Sequence, residues 1–334
     1  MRDYLVTGGF GFIGSHLVEA LLKLEDTRVW IIDDGENASW NPRKGRIDYE
    51  EQARDLLVQI MGGYDIDNDT RNPRLICISG DCAHRNVLDR IRAGHFRAVF
   101  HLAANVSVAK SIEEPMVTLE QNTLKTLKIA KACAQGHTRL VFSSSAAVYG
   151  SLDGCMPIQE SVSLDPENPY GLSKMTCENW FKVYRKLYDL DYVALRYFNV
   201  YGPRQLGGSP YAGVIGNWVQ ALHYKKPLII YGDGEQTRDF IFVGDVVSAN
   251  IAALRKDLKF RVFNVCSENK ISLNKIVDSL RSTLDESFEV KYEPAREEVR
   301  DSIGSNHRAK STLGWEPSVT FQEGLDNTLR WRGL

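Results

Sequence analysis

Tyr170 and Lys174 stand four residues apart in the run Asn168-Pro169-Tyr170-Gly171-Leu172-Ser173-Lys174. Asn168 suits a helix N-cap and Pro169 a first helical position, so the pair shares one face of the helix that opens there. A phenol loses its proton at about pH 10, too high for a base at neutrality. An ammonium on the same face favours the phenolate and draws that value toward the working range. Tyr170 is therefore a candidate base for the proton of an alcohol. Ser145 closes the apolar run Arg139-Leu140-Val141-Phe142-Ser143-Ser144-Ser145 and can share the same substrate hydroxyl.

These groups need elements that deliver them to one place. Tyr4-Leu5-Val6 is a short β-favouring run that ends in Thr7-Gly8-Gly9-Phe10-Gly11-Phe12-Ile13-Gly14. From Ile13 to Leu24 the apolar residues Ile13, Leu17, Ala20, Leu21 and Leu24 recur at helical spacing. Gly8, Gly11 and Gly14 thus lie at a strand–turn–helix junction, where glycine permits a tight turn, approach of backbone N–H groups to a pyrophosphate, and close helix–strand packing. The G-x-x-G-x-x-G spacing is one residue wider than the common Rossmann form, and at this junction it points to a dinucleotide. Asp33 ends the next strand, Arg28 to Asp34, about twenty residues after the glycines, where a carboxylate accepts both hydroxyls of an adenosine ribose. It would repel a 2′-phosphate, which favours NAD over NADP. The positive nicotinamide of that cofactor would also favour a Tyr170 phenolate, and Lys174 can hold the nicotinamide ribose.

The remaining strands follow in order. Leu75 to Asp81 is the third, with Asp81 at its carboxyl end and able to take the adenine amino group. A helix spans Val87 to Ala93. Ala98 to Ala104 is the fourth strand, ending in small residues past which a cofactor backbone can run; His101 lies inside it and reads as a core histidine. A long helix is expected from Ile112 to Ala134, then the fifth strand ending at Ser145. Alternating strand and helix means a parallel, doubly wound α/β sheet, with ligands at the carboxyl ends of its strands. Gly11, Asp33, Asp81, Ala104 and Ser145 all fall on that edge. Between the second and third strands, 36–73 contains a helical pattern from Tyr49 to Met61; a lid over the site and a plain insertion both fit it.

At 334 residues the chain can bury a large core. It is 43% hydrophobic and 25% charged with a net charge of −2, which offers no electrostatic reason for a nucleic-acid or membrane partner. No apolar run approaches a membrane span. The chain enters a strand within a few residues of Met1, leaving no room for a signal peptide. The six cysteines show no C-x-x-C pair and no zinc-ligand spacing, so no metal is expected and the thiols read as reduced, in keeping with a cytoplasmic protein.

Six motifs carry a further resemblance: T-G-G-F-G-F-I-G, H-L-A-A, S-S-S-A-A-V-Y-G, P-Y-G-L-S-K, R-Y-F-N-V-Y-G-P-R and G-D-G-E-Q-T-R-D-F-I-F-V-G-D-V, in that order from Tyr4 to about Trp331. Together they resemble the extended short-chain dehydrogenase/reductase family, and within it the nucleotide-sugar 4-epimerases of the UDP-glucose and UDP-N-acetylglucosamine type. The resemblance implies a Rossmann domain over 1–198, with returning segments at about 240–265. A smaller C-terminal lobe, 199–239 and 266–334, would bind the nucleotide sugar. Helices at 211–222 and 273–284 are expected in that lobe. The implied reaction is transient oxidation of the sugar 4-hydroxyl by NAD, with Tyr170 as base beside Lys174 and Ser145, and return of hydride to the other face. A uronic-acid 4-epimerase, a 4-keto-sugar reductase, or an NAD-binding sensor without chemistry are the alternatives.

The same resemblance implies the remaining site residues. Beyond those named, the cofactor set comprises Phe12, Ile13, Asp34, Cys82, Leu102, Ala103, Ser143, Tyr197 and Val200. Asn199 and Arg238 would meet the diphosphate, Tyr231 would stack on the base, Val214 would reach the nucleotide, and Ser107, Val108 and Ala146 would line the sugar pocket. The stretch Pro294 to Ser302 is one residue shorter than the family's usual R-x-G-D-V-R-x-S. Placing the deletion at the missing glycine gives Arg296 to the diphosphate and Glu298 to the ribose, with Arg300 the alternative. It also puts the small Ser302 at a sugar-facing position, which leaves room for an N-acetyl group. Ala146 and Ala147 stand where the family's dehydratases and decarboxylases carry carboxylates, so elimination chemistry is disfavoured. A homodimer pairing the helices near 112–134 and 170–188 in a four-helix bundle is also implied.

Overall fold

The computed structural model describes residues 1–35, 74–151, 156–207, 212–284, 287–295 and 300–334. The chain resolves into two compact units: Met1–Asn105, Met116–Ser143 and Thr176–Ala194 form the first, and Val106–Pro115, Ser144–Met175 and Leu195–Leu334 the second. The expected helix from Tyr49 to Met61, and the choice between lid and insertion, lie outside the described residues.

The first unit is built on β1 (Arg2–Thr7), β2 (Thr27–Asp33), β3 (Leu75–Ser79), β4 (Ala98–His101) and most of β5 (Arg139–Ser145). β1 pairs in parallel with β2 on one side and β4 on the other, with Val6 opposite both Ile31 and Phe100. Parallel pairing demands crossovers, supplied by α1 (Phe12–Leu22) and α2 (Arg85–Arg92), among others. α1 turns Leu17, Val18 and Leu21 inward, and all three are fully buried with Val6, Ile31, Val99 and Phe100. β6 (Tyr192–Tyr197) and β10 (Val262–Val265) complete a seven-stranded sheet of order β10-β6-β5-β4-β1-β2-β3. Strand order therefore reverses at β1, between β4 and β2, which is the switch point expected of a doubly wound sheet.

The expected helix from Ile112 to Ala134 is broken. α3 (Val108–Glu113) stops at Glu114, whose φ of −127° and ψ of 64° leave the helical region. The cause is Pro115, which clashes with a helical residue before it and has no N–H to donate. A short α4 (Pro115–Thr118), a π-helical turn over Leu119–Leu124 and α5 (Lys125–Gln135) follow. α6 (Pro169–Tyr188) begins where the proline spacing places it. α2 starts two residues earlier than the periodicity suggests, because the His84 ring accepts the Asn86 N–H and caps it.

The second unit holds β7 (Asn199–Tyr201), α7 (Val214–His223), β8 (Leu228–Tyr231), β9 (Thr237–Phe242) and α8 (Val243–Ala252). β11 (Lys270–Ser272), α9 (Leu273–Thr283), β12 (Val290–Glu293), α10 (His307–Leu313) and α11 (Phe321–Arg332) complete it. The expected return of 240–265 to the main sheet is correct only for β10. β9 instead lies in a three-stranded sheet between β11 and β7, and β12 pairs with β8. Phe240 explains the difference: it packs with Tyr201, Trp218, Ile230, Ile276 and Leu325 in a core belonging to this unit. Burying that aromatic side chain here stabilises by about 2 kcal/mol. α7 begins at Val214, after a Gly213 N-cap, and the expected start at Tyr211 lies outside the described residues.

Candidate functional site

In the first unit β1 ends in a turn that only glycine can make. Gly8 has φ +70°, and a Cβ there would lie 2.8 Å from the Ala103 nitrogen of the β4 end. A Cβ on Gly14 would lie 2.0 Å from the Gly8 carbonyl oxygen. The Gly8 N–H donates to Ile32 O at 2.9 Å and the Gly11 N–H to Gly8 O at 3.1 Å, which folds the turn back on itself. α1 then opens at Phe12 and Ile13 with no side chain capping its N-terminus. Its first amides are left to an external acceptor, and the helix dipole favours an anion.

Asp33 is buried at the end of β2. Its Oδ2 accepts the Phe10 N–H at 2.9 Å and its Oδ1 the Gly35 N–H at 2.8 Å. Desolvation raises its carboxyl pKa, and the two N–H donors oppose that. Each oxygen keeps a lone pair for a further donor. Asp34 beside it is exposed. At the end of β3, Asp81 Oδ1 accepts the Ala83 N–H at 2.8 Å and Oδ2 pairs with Lys125 at 3.1 Å. These donors and Lys128 hold Asp81 below the usual carboxylate range against desolvation. Burial pushes the adjacent Cys82 thiol up to about 12. The β4 end is tied down by Leu102 N–H to Thr7 O and Ala103 N–H to Thr7 Oγ1, each 3.2 Å, leaving Ala104 half-buried. His101 is a core histidine: Thr7 Oγ1 and Thr126 Oγ1 sit 2.7 Å from its two ring nitrogens. Ser143 is half-buried on β5. Uncapped amides, a glycine-only turn and an oriented carboxylate fit a dinucleotide.

In the second unit Ser145, Tyr170 and Lys174 come together. Asn168 caps α6 by accepting the Gly171 N–H at 2.9 Å. The Tyr170 N–H donates to Ser111 Oγ at 3.2 Å, which fixes the first helical turn. Ser145 hydrogen-bonds the Tyr170 side chain. Lys174 is buried, with Nζ 5.8 Å from the centre of the Tyr170 ring. The expected drop in the phenol pKa is not produced by these groups. Desolvation raises it above its ordinary 10.0, and only the Ser145 hydrogen bond pulls it down. Tyr197 lies near enough to oppose a second phenolate, and its hydroxyl is locked to Asn250 at 2.8 Å.

The expected sugar-nucleotide residues are distributed as follows. Asn199 donates from Nδ2 to Asp239 O at 3.0 Å, and Val200 is half-buried next to it. Arg238, on β9, donates to Thr237 O at 2.8 Å. Tyr231 ends β8, and Val214 opens α7. Ser302 lies beside β9, its N–H on Thr237 O at 3.2 Å. Arg300 forms a bidentate pair with Asp233, both bonds 3.0 Å. Arg296 and Glu298 lie outside the described residues. Ser107 caps α3, its Oγ accepting the Lys110 N–H at 2.9 Å, so one lone pair of the expected sugar contact is already used. Val108 is exposed, and Ala146 opens a 3₁₀ turn, Ala146–Val148.

Sequence reasoning missed Lys125, Ser111 and Asn122. Asn122 takes the Asn105 N–H on Oδ1 at 2.7 Å and donates from Nδ2 to Asn105 O at 2.9 Å, clamping the β4 loop. No local pattern marks these residues, because their partners lie far away along the chain. Cys77, Cys82, Cys133, Cys177 and Cys266 are not joined in disulfides, and Cys155 lies outside the described residues.

The profile of the NAD dependent epimerase/dehydratase family matches residues 4–266. The chain is similar to the UDP-N-acetylglucosamine 4-epimerase of Methanobrevibacter ruminantium, solved with UDP-N-acetylmuramic acid: 35% identity, 99% of this chain and 98% of that one covered, TM-score 0.84. It is similar also to the UDP-glucose 4-epimerase of Thermotoga maritima, solved with UDP-glucose, at 31% identity, 99% and 98% coverage and TM-score 0.83. A UDP-N-acetyl-alpha-D-glucosaminuronate decarboxylase of Bacillus cytotoxicus is 31% identical over 98% of this chain and 96% of its own.

Proposed function

The chain belongs to the NAD dependent epimerase/dehydratase family, and from that premise we propose that it is an NAD-dependent 4-epimerase of UDP-hexoses. The observation that carries the reading is the Ser145–Tyr170–Lys174 cluster standing next to Ala146 and Ala147. The three polar groups suffice for proton transfer at a hydroxyl. The two alanines offer no carboxylate for elimination or decarboxylation, which separates this site from the decarboxylase branch. The relatives' substrates support a UDP-sugar.

NAD held at this site would supply reversible hydride acceptance at the sugar carbon, with no net oxidation. Gly8, Gly11 and Gly14 bring backbone amides against its pyrophosphate. Asp33 takes the adenosine ribose hydroxyls, and Asp81, held by Lys125, takes the adenine amino group. Tyr170 Oη removes the proton of the sugar 4-hydroxyl and later restores it. Ser145 Oγ bonds the same oxygen and stabilises the phenolate. Lys174 adds positive charge and holds the nicotinamide ribose. Arg238 and Asn199 grip the diphosphate, the pivot about which the 4-keto sugar turns to show its other face. An arginine suits that task because its fork matches a phosphate.

The direct test is proton NMR of UDP-N-acetylglucosamine and UDP-glucose incubated separately with the protein and catalytic NAD. Galacto signals without accumulating NADH are expected, and the N-acetylated sugar is expected to react if the small Ser302 faces it. NADH building up with an oxidised sugar would favour a net oxidoreductase, and no conversion would overturn the reading. Asp33→Ser should weaken NAD binding about 10-fold in calorimetry, ~1.4 kcal/mol, by removing a charged acceptor. We also propose a homodimer. Leu119, Leu124, Trp180, Val183 and Leu187 are exposed by 41%, 48%, 44%, 44% and 66%, an apolar face on Leu119–Leu124 and α6 that a second copy would cover. Light scattering should read twice the chain mass.

A further inference from the structure

Ser145 is the first residue of a sharp turn, and what fixes that turn lies four residues on. Tyr149 is the C-cap of the 3₁₀ turn, its N–H donating to Ala146 O at 3.0 Å. At the other end Ser145 Oγ accepts the Ala147 N–H at 3.1 Å. Between them the turn is pressed against α6: a Cβ on Gly171 would lie 2.4 Å from Ala147 O. The Tyr149 side chain is 1% exposed. Its hydroxyl donates to Asn264 Oδ1 at 2.7 Å and accepts from Arg196 Nη1 at 2.8 Å, and the guanidinium carbon lies 4.8 Å from the ring centre.

Every direction in this chain of bonds is determined. Arginine only donates, so the Tyr149 oxygen accepts there and its proton must go to Asn264. Asn264 is oriented in turn, because its Nδ2 donates to Ile158 O at 2.9 Å and to Ser305 O at 3.2 Å. A fully satisfied buried network of this kind admits one geometry and passes it to whatever is attached. Sugar chemistry needs no buried tyrosine at this place, and packing alone needs no hydroxyl on it.

We infer that Tyr149, through its bonds to Arg196 and Asn264, is a positioning residue that sets the turn carrying Ser145 and so the direction in which the Ser145 hydroxyl meets Tyr170. The inference rests on the roles proposed above for Ser145 and Tyr170. It extends the site from three side chains to a second group of three that touches no substrate.

The test compares Tyr149→Phe, Ser145→Ala and the double variant. Phenylalanine keeps the ring and removes only the hydroxyl. Tyr149→Phe should lower kcat about 10-fold to 100-fold, the scale of a misplaced group, with KM changed less than about twofold. The Ser145 hydrogen bond is what pulls the Tyr170 phenol downward. The basic group seen in the kcat–pH profile should therefore titrate at higher pH in Tyr149→Phe, as in Ser145→Ala. In the Ser145→Ala background the same change should add no further loss of kcat. An equal loss in both backgrounds, or a lowered Tm with an unmoved pH profile, would show a packing role only and overturn the inference. A crystal structure of Tyr149→Phe decides independently of turnover: the Ser145 hydroxyl should be displaced from Tyr170, and an unmoved Ser145 overturns the proposal. Failure of the wild-type protein to convert any UDP-hexose would instead overturn the functional reading. If Tyr149→Phe does not fold, Arg196→Lys, which keeps the charge but loses the rigid guanidinium fork that holds the Tyr149 hydroxyl, should shift the pH profile the same way.

Discussion

Tyr170→Phe is expected to lower kcat roughly 10³-fold, the scale of losing a positioned proton-transfer group. NAD affinity should change little. Phenylalanine preserves the shape of the ring, and the Tyr170 N–H keeps its bond to Ser111 Oγ at 3.2 Å because that bond is made by the backbone. The loss should therefore appear in kcat and not in cofactor binding or Tm. Stopped-flow turnover with saturating UDP-sugar and calorimetric titration of NAD separate the two. Turnover within about tenfold of wild type would remove Tyr170 from the chemistry. The phenol pKa sharpens this expectation. Protein groups alone leave it above its ordinary value, desolvation being the larger influence. A base that works near neutrality must then be brought down by positive charge near the ring. Lys174→Met should raise the pH at which kcat reaches its plateau.

Gly14→Ala should abolish NAD binding and destabilise the first unit. The added methyl would lie 2.0 Å from the Gly8 carbonyl oxygen and 2.9 Å from Gly9 Cα, both backbone atoms that cannot swing aside. The turn would have to open, and overpacking of this kind costs about 2–3 kcal/mol. Opening it moves the Gly8 carbonyl and the first amides of α1 together, so NAD affinity should fall at least about 100-fold, ~2.7 kcal/mol. Thermal melting with and without NAD reads both effects. Melting close to wild type with an unchanged NAD-induced shift would contradict the placement of the cofactor on this turn.

What could be read from the sequence was what depends on local spacing. The glycine turn, the strands on either side of it and the start of α6 each carry their own signal: a φ only glycine tolerates, an apolar alternation, a proline after an asparagine. His101 was legible as a core residue because it sits inside a strand. The misreadings share another cause. The helix after β4 had the right apolar periodicity, but Pro115 overrode it, and the π-turn at Leu119–Leu124 left no trace in the pattern. The resemblance returned 240–265 to the main sheet as one block; the core around Phe240 holds β9 apart from it, and that core is assembled from residues far apart in sequence. The same holds for Lys125 on Asp81, Ser111 under Tyr170 and Arg196 on Tyr149. Each joins residues between 44 and 59 positions apart or spans strands whose neighbours only the fold defines. The desolvation that opposes the Tyr170 phenolate was not legible for the same reason. Spacing shows that an ammonium is near, but desolvation is a property of the packed site.

The central claim is that the 4-position is inverted by removing and returning one hydride. A UDP-hexose carrying deuterium at carbon 4, incubated in ordinary water with the protein and catalytic NAD, tests it most directly. The expected result is a galacto product that keeps deuterium at carbon 4, seen as the absence of its carbon-4 proton signal. A product in which that position carries a solvent proton would contradict the mechanism, because it would place proton exchange rather than hydride return at the inverted carbon.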